Sequence, residues 1–293
     1  MDISAAQVKE LRERTGAGMM DCKKALVEAG GDIEAAIEAM RKSGVAKAAK
    51  KAGRVAAEGG IIIKTNDAGD QAVILEVNSE TDFVANDANF QSFAQSVADT
   101  VLAEQPADVD ALNGLTLAGG SETVEEARQQ LILKIGENIS VRRFVLHLRA
   151  GDHLASYLHG SRIGVLVDLE GGSEELARDM AMHIAASNPA CVSEDQIPAE
   201  MLEQEKAVFV SQAKESGKPD DIIEKMVSGR IAKYKKEITL EGQPFVKDPD
   251  QSAGEMLKAA KARVNTFIRY EVGEGIEKKV DDFASEVMAQ ARG

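Results

Sequence analysis

The sequence predicts an α+β fold assembled from several modules, and three observations carry this prediction. Residues 1–40 place their apolar side chains at helical spacing, whereas apolar runs of strand length begin at Ile61. From there a strand–strand–helix order occurs twice, which indicates two related α+β core subdomains. The length of 293 residues exceeds that of a single small domain and is typical of two or three modules.

The first module, residues 1–57, is predicted to contain three short helices up to residue 40. Gly30-Gly31 ends the second of these helices, and Asp32 caps the third. A glycine-containing loop leads into Met19 and Met20. Two interpretations of this methionine pair stay open: filler of a small helical core, or an adaptable exposed docking surface.

Residues 41–57 are rich in Ala, Lys and Gly and are predicted to be a helix-prone linker. Four basic residues in it are spaced to share one helix face: Lys47, Lys50, Lys51 and Arg54. Such a stripe is most often a solvated face, and the alternative is a contact with an acidic partner. A further hypothesis, RNA binding through this stripe, predicts an affinity that falls steeply with salt.

The first core subdomain is predicted at residues 58–138. It opens with a hairpin over residues 61–75, with Asn66-Asp67-Ala68-Gly69 at its turn. A helix capped by Asp87 follows, and a second helix covers roughly residues 123–134. These elements form the first strand–strand–helix set.

The second core subdomain is predicted at residues 139–198 and 237–272. Its predicted elements are strands at 139–149, 153–159, 162–169 and 265–272 and a helix at 174–187. Residues 199–236 interrupt it with two helical patterns, which predict an inserted antiparallel helical hairpin. The hairpin can fold onto the core or mediate self-association, so a homodimer through residues 199–236 is a hypothesis. A C-terminal module, residues 273–293, carries a last helix at 280–291.

Charge and cysteine content narrow the classes of partner and compartment. The formal net charge of -14 makes nucleic acid a disfavoured partner, because phosphates repel such a chain. Cys22 and Cys191 are far apart, form no disulfide framework, and are typical of a reducing compartment. With no signal-peptide pattern and no membrane-spanning apolar run, we predict a cytoplasmic protein without a membrane partner.

The motifs of nucleotide-binding and catalytic sites are not found in the sequence. No phosphate-binding GxxxxGK[ST] loop occurs, so direct nucleotide binding is not expected. Gly273-Glu274-Gly275-Ile276 lacks the third glycine of a dinucleotide turn and is better explained as a tight turn after a strand. The four histidines lack metal-ligand spacing, and no acidic pair is marked as general acid and base. We therefore predict no enzyme, no cofactor and no metal.

The segment Thr81-Asp82-Phe83-Val84 lies between a predicted strand and a helix whose apolar stripe begins only at Phe90. One interpretation is a helical turn capped by Thr81 or Asp82, with Phe83 buried as most large apolar residues are. The other is a protruding apolar wedge beside a carboxylate. Spacing alone favours the buried interpretation.

Five stretches resemble the bacterial elongation factor Ts family and follow one another in that family's order. They are Glu10–Leu26, Thr81–Ala85, His183–Ala186, Gly242–Phe245 and Arg269–Gly275. Asn86 stands where a basic residue is often seen in the family, and Ser79 stands where Cys is frequent. Neither departure touches the Thr-Asp-Phe-Val motif itself.

The resemblance implies a guanine-nucleotide exchange factor for the GTPase elongation factor Tu. It also implies that the three N-terminal helices are similar to a ubiquitin-associated (UBA-like) fold and bind the GTPase domain of the partner. The Thr81–Val84 motif would insert into that domain and dislodge Mg²⁺, chiefly through Asp82 and Phe83. The residues that the resemblance assigns to partner binding are Arg12, Met19, Met20, Lys23 and His159.

The resemblance further implies that the C-terminal helix adds a contact and that the hairpin is of the dimerisation type. The competing hypothesis is a helical adaptor that binds another protein and leaves nucleotide exchange unchanged.

Overall fold

The computed structural model describes residues 3–15, 17–215 and 217–277. It confirms a mixture of helices and sheets of the α+β class. Contacts divide the described residues into two compact units, the first within residues 3–62, 75–145 and 271–277 and the second within residues 63–74 and 146–270. The predicted helix at 280–291 lies outside the described residues. Among the helices that are described, none combines the length and the apolar composition needed to cross a membrane.

Three helices begin the first unit: α1 (Ala5–Thr15), α2 (Met19–Glu28) and α3 (Ile33–Lys51). The Asp32 side chain caps α3 by accepting a hydrogen bond from the N–H of Ala35 at 3.0 Å. α3 is longer than predicted, because the Ala- and Lys-rich segment expected as a linker continues the helix to Lys51. The small shared core of the three helices consists of Leu11, Ala17, Cys22, Ala25, Leu26, Ala36 and Met40.

The first sheet has the strand order β1-β2-β3. β1 (Glu58–Thr65) and β2 (Gln71–Ser79) form the predicted hairpin, which is confirmed. β3 (Ile139–Leu148) was expected to open the second subdomain, but it is hydrogen-bonded to β2 instead. The pairing partner of a strand depends on residues far away in the sequence, so the apolar pattern of β3 alone could not assign it.

A single helical turn and three longer helices follow β2: α4 (Asp82–Ala85), α5 (Ala88–Glu104), α6 (Val109–Asn113) and α7 (Val124–Ile135). The Asp87 carboxylate caps α5 by accepting from the N–H groups of Asn89 and Phe90 at 2.8 and 3.3 Å. Thr123 opens α7 with a capping box. The cap predicted at Asp87 is therefore confirmed, and the capping box at Thr123 was not predicted.

The second unit contains a sheet with the order β4-β5-β8. Its strands are β4 (His153–His159), β5 (Ile163–Glu170) and β8 (Arg263–Glu271), and the elements before β8 are β6 (Pro244–Phe245), β7 (Asp248–Ser252) and α11 (Ala253–Ala259). β4 and β5 pair antiparallel, from His153 opposite Leu169 to His159 opposite Ile163. The helix α8 (Glu174–Ser187) contributes Met180 and Ile184 to the core of this unit.

The helices α9 (Ala199–Lys214) and α10 (Asp220–Ile238) form the predicted helical hairpin, with a small core of its own from Ala213, Ile223 and Val227. Buried Gln243 ties its base to the rest of the unit. The Gln243 amide nitrogen donates to the carbonyls of Ser187 and Glu237 at 3.2 and 2.8 Å. These contacts tie the end of α10 to the end of α8.

Buried His183 holds Gln243 in place. The Nδ1 atom of His183 accepts from the N–H of Val246 at 3.2 Å, so the proton is on Nε2, which lies 3.1 Å from the Gln243 side-chain oxygen. Burial lowers the pKa of His183, and the imidazole is therefore neutral at pH 7. Two of the sequence stretches that carry the family resemblance meet in this pair.

Candidate partner-binding surfaces

The Thr81–Val84 motif forms the one-turn helix α4 and its cap. The Thr81 hydroxyl oxygen accepts from the N–H of Val84 at 3.4 Å, so Thr81 is the N-cap and Asp82 is the first helical residue. The side chain of Asn86 donates to the carbonyl of Asp82 at 2.9 Å and closes the other end of the turn. Asn86 thus helps to hold the turn.

Phe83 protrudes from this turn with 84% of its surface exposed. The following residues, Val84 and Ala85, are buried. Successive helical residues point about 100° apart, so a turn that buries Val84 and Ala85 directs Phe83 outward. The interpretation of Phe83 as a core residue is therefore wrong. Beside it, the side chain of Asp82 is exposed as well.

Two residues far along the sequence form hydrogen bonds with the chain just before Phe83. The Glu137 carboxylate accepts from the N–H of Thr81 at 3.0 Å and from the Thr81 hydroxyl at 2.8 Å. The N–H of Asn138 donates to the Glu80 carboxylate at 2.6 Å. Glu137 could not be predicted as part of this site, because a contact across 56 residues leaves no local signal in the sequence.

A groove on α1 and α2 brings together four of the predicted partner-binding residues. Met19 and Met20 are 60% and 75% exposed, so the core-filler interpretation of this pair is wrong. The groove has a volume of about 590 Å³ and is lined by Ile3, Ala5, Val8, Lys9, Arg12, Met19, Met20 and Lys23. Apolar, flexible side chains rimmed by cations are suited to an amphipathic protein surface with acidic edges.

The basic stripe of residues 47–54 is largely engaged within the chain. Lys47 pairs with Asp21 at 3.3 Å, and Lys51 donates to the carbonyl of Gly136. Arg54 was expected on the same helix face, but α3 ends at Lys51 and Arg54 instead pairs with Glu80 at 3.5 Å. These contacts weaken the hypothesis that the stripe binds RNA.

The predicted residue His159 lies in the second unit, at the end of β4. It is exposed, and its Nδ1 atom lies 3.4 Å from the hydroxyl of Tyr157. The neighbouring Leu158 is exposed too, whereas Tyr157 packs on the core of the unit. The end of β4 thus presents an imidazole and an aliphatic side chain to solvent.

The chain is similar to a known protein family over most of its length. A family profile described as Elongation factor TS matches residues 80–274, from Glu80 beside the motif to Glu274. The chain belongs to the elongation factor Ts family. Proteins called Elongation factor Ts in Thioalkalivibrio sulfidiphilus and Alkalilimnicola ehrlichii are 62% and 61% identical to it, each over 100% of both chains. A third, in Halorhodospira halophila, is 58% identical over 100% of this chain and 99% of its own length.

Membership of the elongation factor Ts family identifies the chain as a translation elongation factor. The profile match starts after the three N-terminal helices, whereas the full-length relatives also cover them and their methionine groove. Within the described ranges, no group of three or more His, Cys, Asp and Glu side chains is placed to hold a metal ion. Two of the histidines have protein partners instead: His147 pairs with buried Asp168 at 2.8 Å, and His183 is hydrogen-bonded to Gln243.

Proposed function

We propose that this chain is a guanine-nucleotide exchange factor for elongation factor Tu. It binds the GDP form of the partner, dislodges Mg²⁺ and promotes release of GDP so that GTP can bind. The observation that carries the proposal is the exposed Phe83 beside Asp82, held on a capped turn in a member of the elongation factor Ts family. In this proposal the chain binds no nucleotide itself, holds no cofactor, catalyses no chemical reaction and acts in the cytoplasm.

The energetics require more than one contact surface. Accelerating nucleotide release about 10⁴-fold takes about 5.5 kcal/mol of barrier reduction. Burying one Phe side chain supplies about 1.5–3 kcal/mol. Phe83 therefore needs other surfaces that hold the partner while the wedge distorts its nucleotide site. The exposed groove on α1 and α2 and the His159 strand end are suited to that role.

Within this proposal, the three N-terminal helices form a UBA-like module that docks on the GTPase domain. Arg12 and Lys23 supply positive charge to the groove, and Met19 and Met20 supply exposed apolar surface. His159 contacts a domain of the partner away from the nucleotide. The division into two related core subdomains and a C-terminal module is part of the same proposal.

Replacing both Met19 and Met20 with Ala is expected to weaken the complex about fivefold, since many interface truncations cost about 1 kcal/mol. The melting temperature should stay the same, because both side chains are exposed. Met40→Ala is the matched control: Met40 is buried in the core of the same helices, so its loss should cost about 2–5 kcal/mol of stability. Calorimetric titration with nucleotide-free partner, together with melting curves, measures both effects. Unchanged affinity for the double variant would exclude the groove from the interface.

The proposed function is tested by the release of fluorescent GDP from elongation factor Tu, with and without this chain. Exchange activity predicts release that accelerates with chain concentration. If the chain weakens the affinity of the partner for GDP, linkage requires that GDP with Mg²⁺ weaken the affinity of the chain for the partner by the same factor. A complex that forms without faster release would indicate the adaptor hypothesis. Equal affinity for the empty and the GDP-bound partner would exclude an exchange mechanism.

Replacing residues 199–236 with a short Gly/Ser linker is expected to leave GDP release largely intact. The hairpin has a small core of its own, and its base is held by Gln243 outside the deleted segment. We propose that any self-association depends on this hairpin and is lost or weakened with it. Sedimentation analysis and the GDP-release assay measure the two effects. Global unfolding of the deletion variant would show that the hairpin is part of the core of the second unit.

A further inference from the structure

We propose that Glu137 is a positioning residue for Phe83: its carboxylate binds both hydrogen-bond donors of Thr81 and so sets the direction in which the turn presents the phenyl ring. This inference rests on the proposed exchange function. Nothing in the Thr-Asp-Phe-Val motif itself points to residue 137.

An exposed side chain such as Phe83 cannot be placed by its own packing. Its direction is set by the backbone of α4, which is only four residues long. A helix this short is not stable alone, because one turn fixes several dihedral angles for a single hydrogen bond. The turn therefore needs anchors outside itself, and buried Val84 provides one of them on the C-terminal side.

Glu137 provides the anchor on the N-terminal side. One carboxylate oxygen accepts from the N–H of Thr81 at 3.0 Å, and the other accepts from the Thr81 hydroxyl at 2.8 Å. A hydroxyl has a single proton, so this second bond leaves the oxygen lone pairs for the N–H of Val84, 3.4 Å away. One carboxylate thus fixes both the backbone of the cap residue and the hydroxyl that caps the turn.

Glu137 is itself held between two fixed neighbours. Gly136 ends α7 with a positive φ of 89°, and its carbonyl accepts a hydrogen bond from Lys51 at the end of α3. Buried Asn138 donates its N–H to Glu80 and its side-chain amide to the carbonyl of Arg54 at 2.9 Å. The residue before Glu137 is therefore hydrogen-bonded to Lys51, the last residue of α3, and the residue after it to Arg54.

Glu137→Ala is expected to slow the maximal rate of GDP release about threefold to tenfold, because a misplaced group loses reactivity steeply with distance. The chain concentration at half-maximal rate should change little, since the groove on α1 and α2 is untouched. Glu137→Gln keeps one acceptor oxygen and should recover part of the rate. Glu255→Ala is the matched control: its carboxylate also accepts from the backbone N–H of a helix N-cap, Ser252, but in the second unit, so its removal should leave release unchanged.

A double variant tests whether Glu137→Ala slows GDP release by misplacing Phe83 or by destabilising the chain in general. If Glu137 acts only through the turn, Phe83→Ala/Glu137→Ala should release GDP no more slowly than Phe83→Ala alone. Additive slowing would overturn the proposal, as would a wild-type rate in Glu137→Ala. Failure of the wild-type chain to accelerate release would instead overturn the proposed function.

A fluorescence measurement tests the positioning without any exchange assay. The chain contains no Trp, so the indole introduced by Phe83→Trp is the sole one and reports on the turn. Adding Glu137→Ala to this variant should lower the fluorescence anisotropy of the indole, and adding Glu255→Ala should not. Equal anisotropy with and without Glu137→Ala would show that other contacts hold the turn.

Discussion

Phe83→Ala is expected to slow catalysed GDP release about tenfold or more while leaving thermal stability nearly unchanged. The side chain is 84% exposed, so its removal leaves no cavity in the folded chain. It would remove an apolar contact made while the nucleotide site of the partner is being opened. Such truncations at binding hot spots typically cost about 2 kcal/mol or more, at about 1.4 kcal/mol per tenfold change in rate. Stopped-flow release and melting curves on the same variant measure both quantities.

Phe90→Ala is the matched control for Phe83→Ala. Phe90 is fully buried on α5, seven residues along the chain, so its truncation should cost about 3–5 kcal/mol of stability. Asp82→Ala should slow release in the same direction as Phe83→Ala. Thr81 rather than Asp82 caps the turn, so Asp82→Ala should not cost the ~1 kcal/mol of a lost cap. A lowered melting temperature with normal release in the Phe83 variant would contradict the wedge.

Local signals in the sequence were sufficient for most of the secondary structure. The helix predicted at 174–187 is observed as α8 (Glu174–Ser187), and the caps at Asp32 and Asp87 are found where they were predicted. Capping is decided by residues within a few positions of one another, so a short window of sequence contains the information. The segment after residue 40 contains helix formers and no proline, which predicted a helix-prone linker but not that it continues α3 to Lys51.

Contacts between distant residues could not be predicted in the same way. Two such contacts are the pairing of β3 with β2 and the hydrogen bonds between Glu137 and Thr81. Both depend on how distant parts of the chain fold together. The exposure of Phe83 has the same origin. General statistics favour burial of a Phe, and only the burial of Val84 beside it shows that Phe83 points outward. The motif was therefore visible in the sequence, whereas its orientation required the structure.

Glu76 is a buried carboxylate on β2, the central strand of the first sheet. Its side chain is 0% exposed and pairs with Arg142 at 3.0 Å and Arg143 at 2.6 Å. It also accepts from the N–H of Gly273 at 2.8 Å. Gly273 has a φ of 73°, and a Cβ atom there would lie 2.2 Å from the carbonyl oxygen of Ala57. The glycine turn after β8 thus lets the backbone reach a buried carboxylate, which explains the feature that superficially resembles a dinucleotide turn.

Glu76→Ala is expected to destabilise the first unit by about 3 kcal/mol. Breaking a buried ion pair from one side typically costs about 3–5 kcal/mol, and the lower end applies because both arginine side chains are partly exposed and can be rehydrated. Chemical denaturation measures this loss. Glu274→Ala is the control, since it removes an exposed carboxylate 3.3 Å from the same Arg143 and should cost less than about 1 kcal/mol. If both variants lost the same free energy of unfolding, the buried ion pairs of Glu76 would contribute no more to stability than the exposed one of Glu274.

The stabilising contribution of Glu76 should also depend on pH in a defined direction. Burial alone would raise the pKa of this carboxyl, but hydrogen bonds from Gly273, Asn78, Arg142 and Arg143 outweigh burial and hold the pKa below its usual value of 4.5. As the pH falls, the unfolded chain therefore binds this proton before the folded chain does, and folding loses free energy. The difference in unfolding free energy between wild type and Glu76→Gln should be full above pH 4.5 and should shrink as the pH falls below it. A difference that stays constant down to lower pH would mean that the carboxyl ionises alike in the folded and unfolded chain.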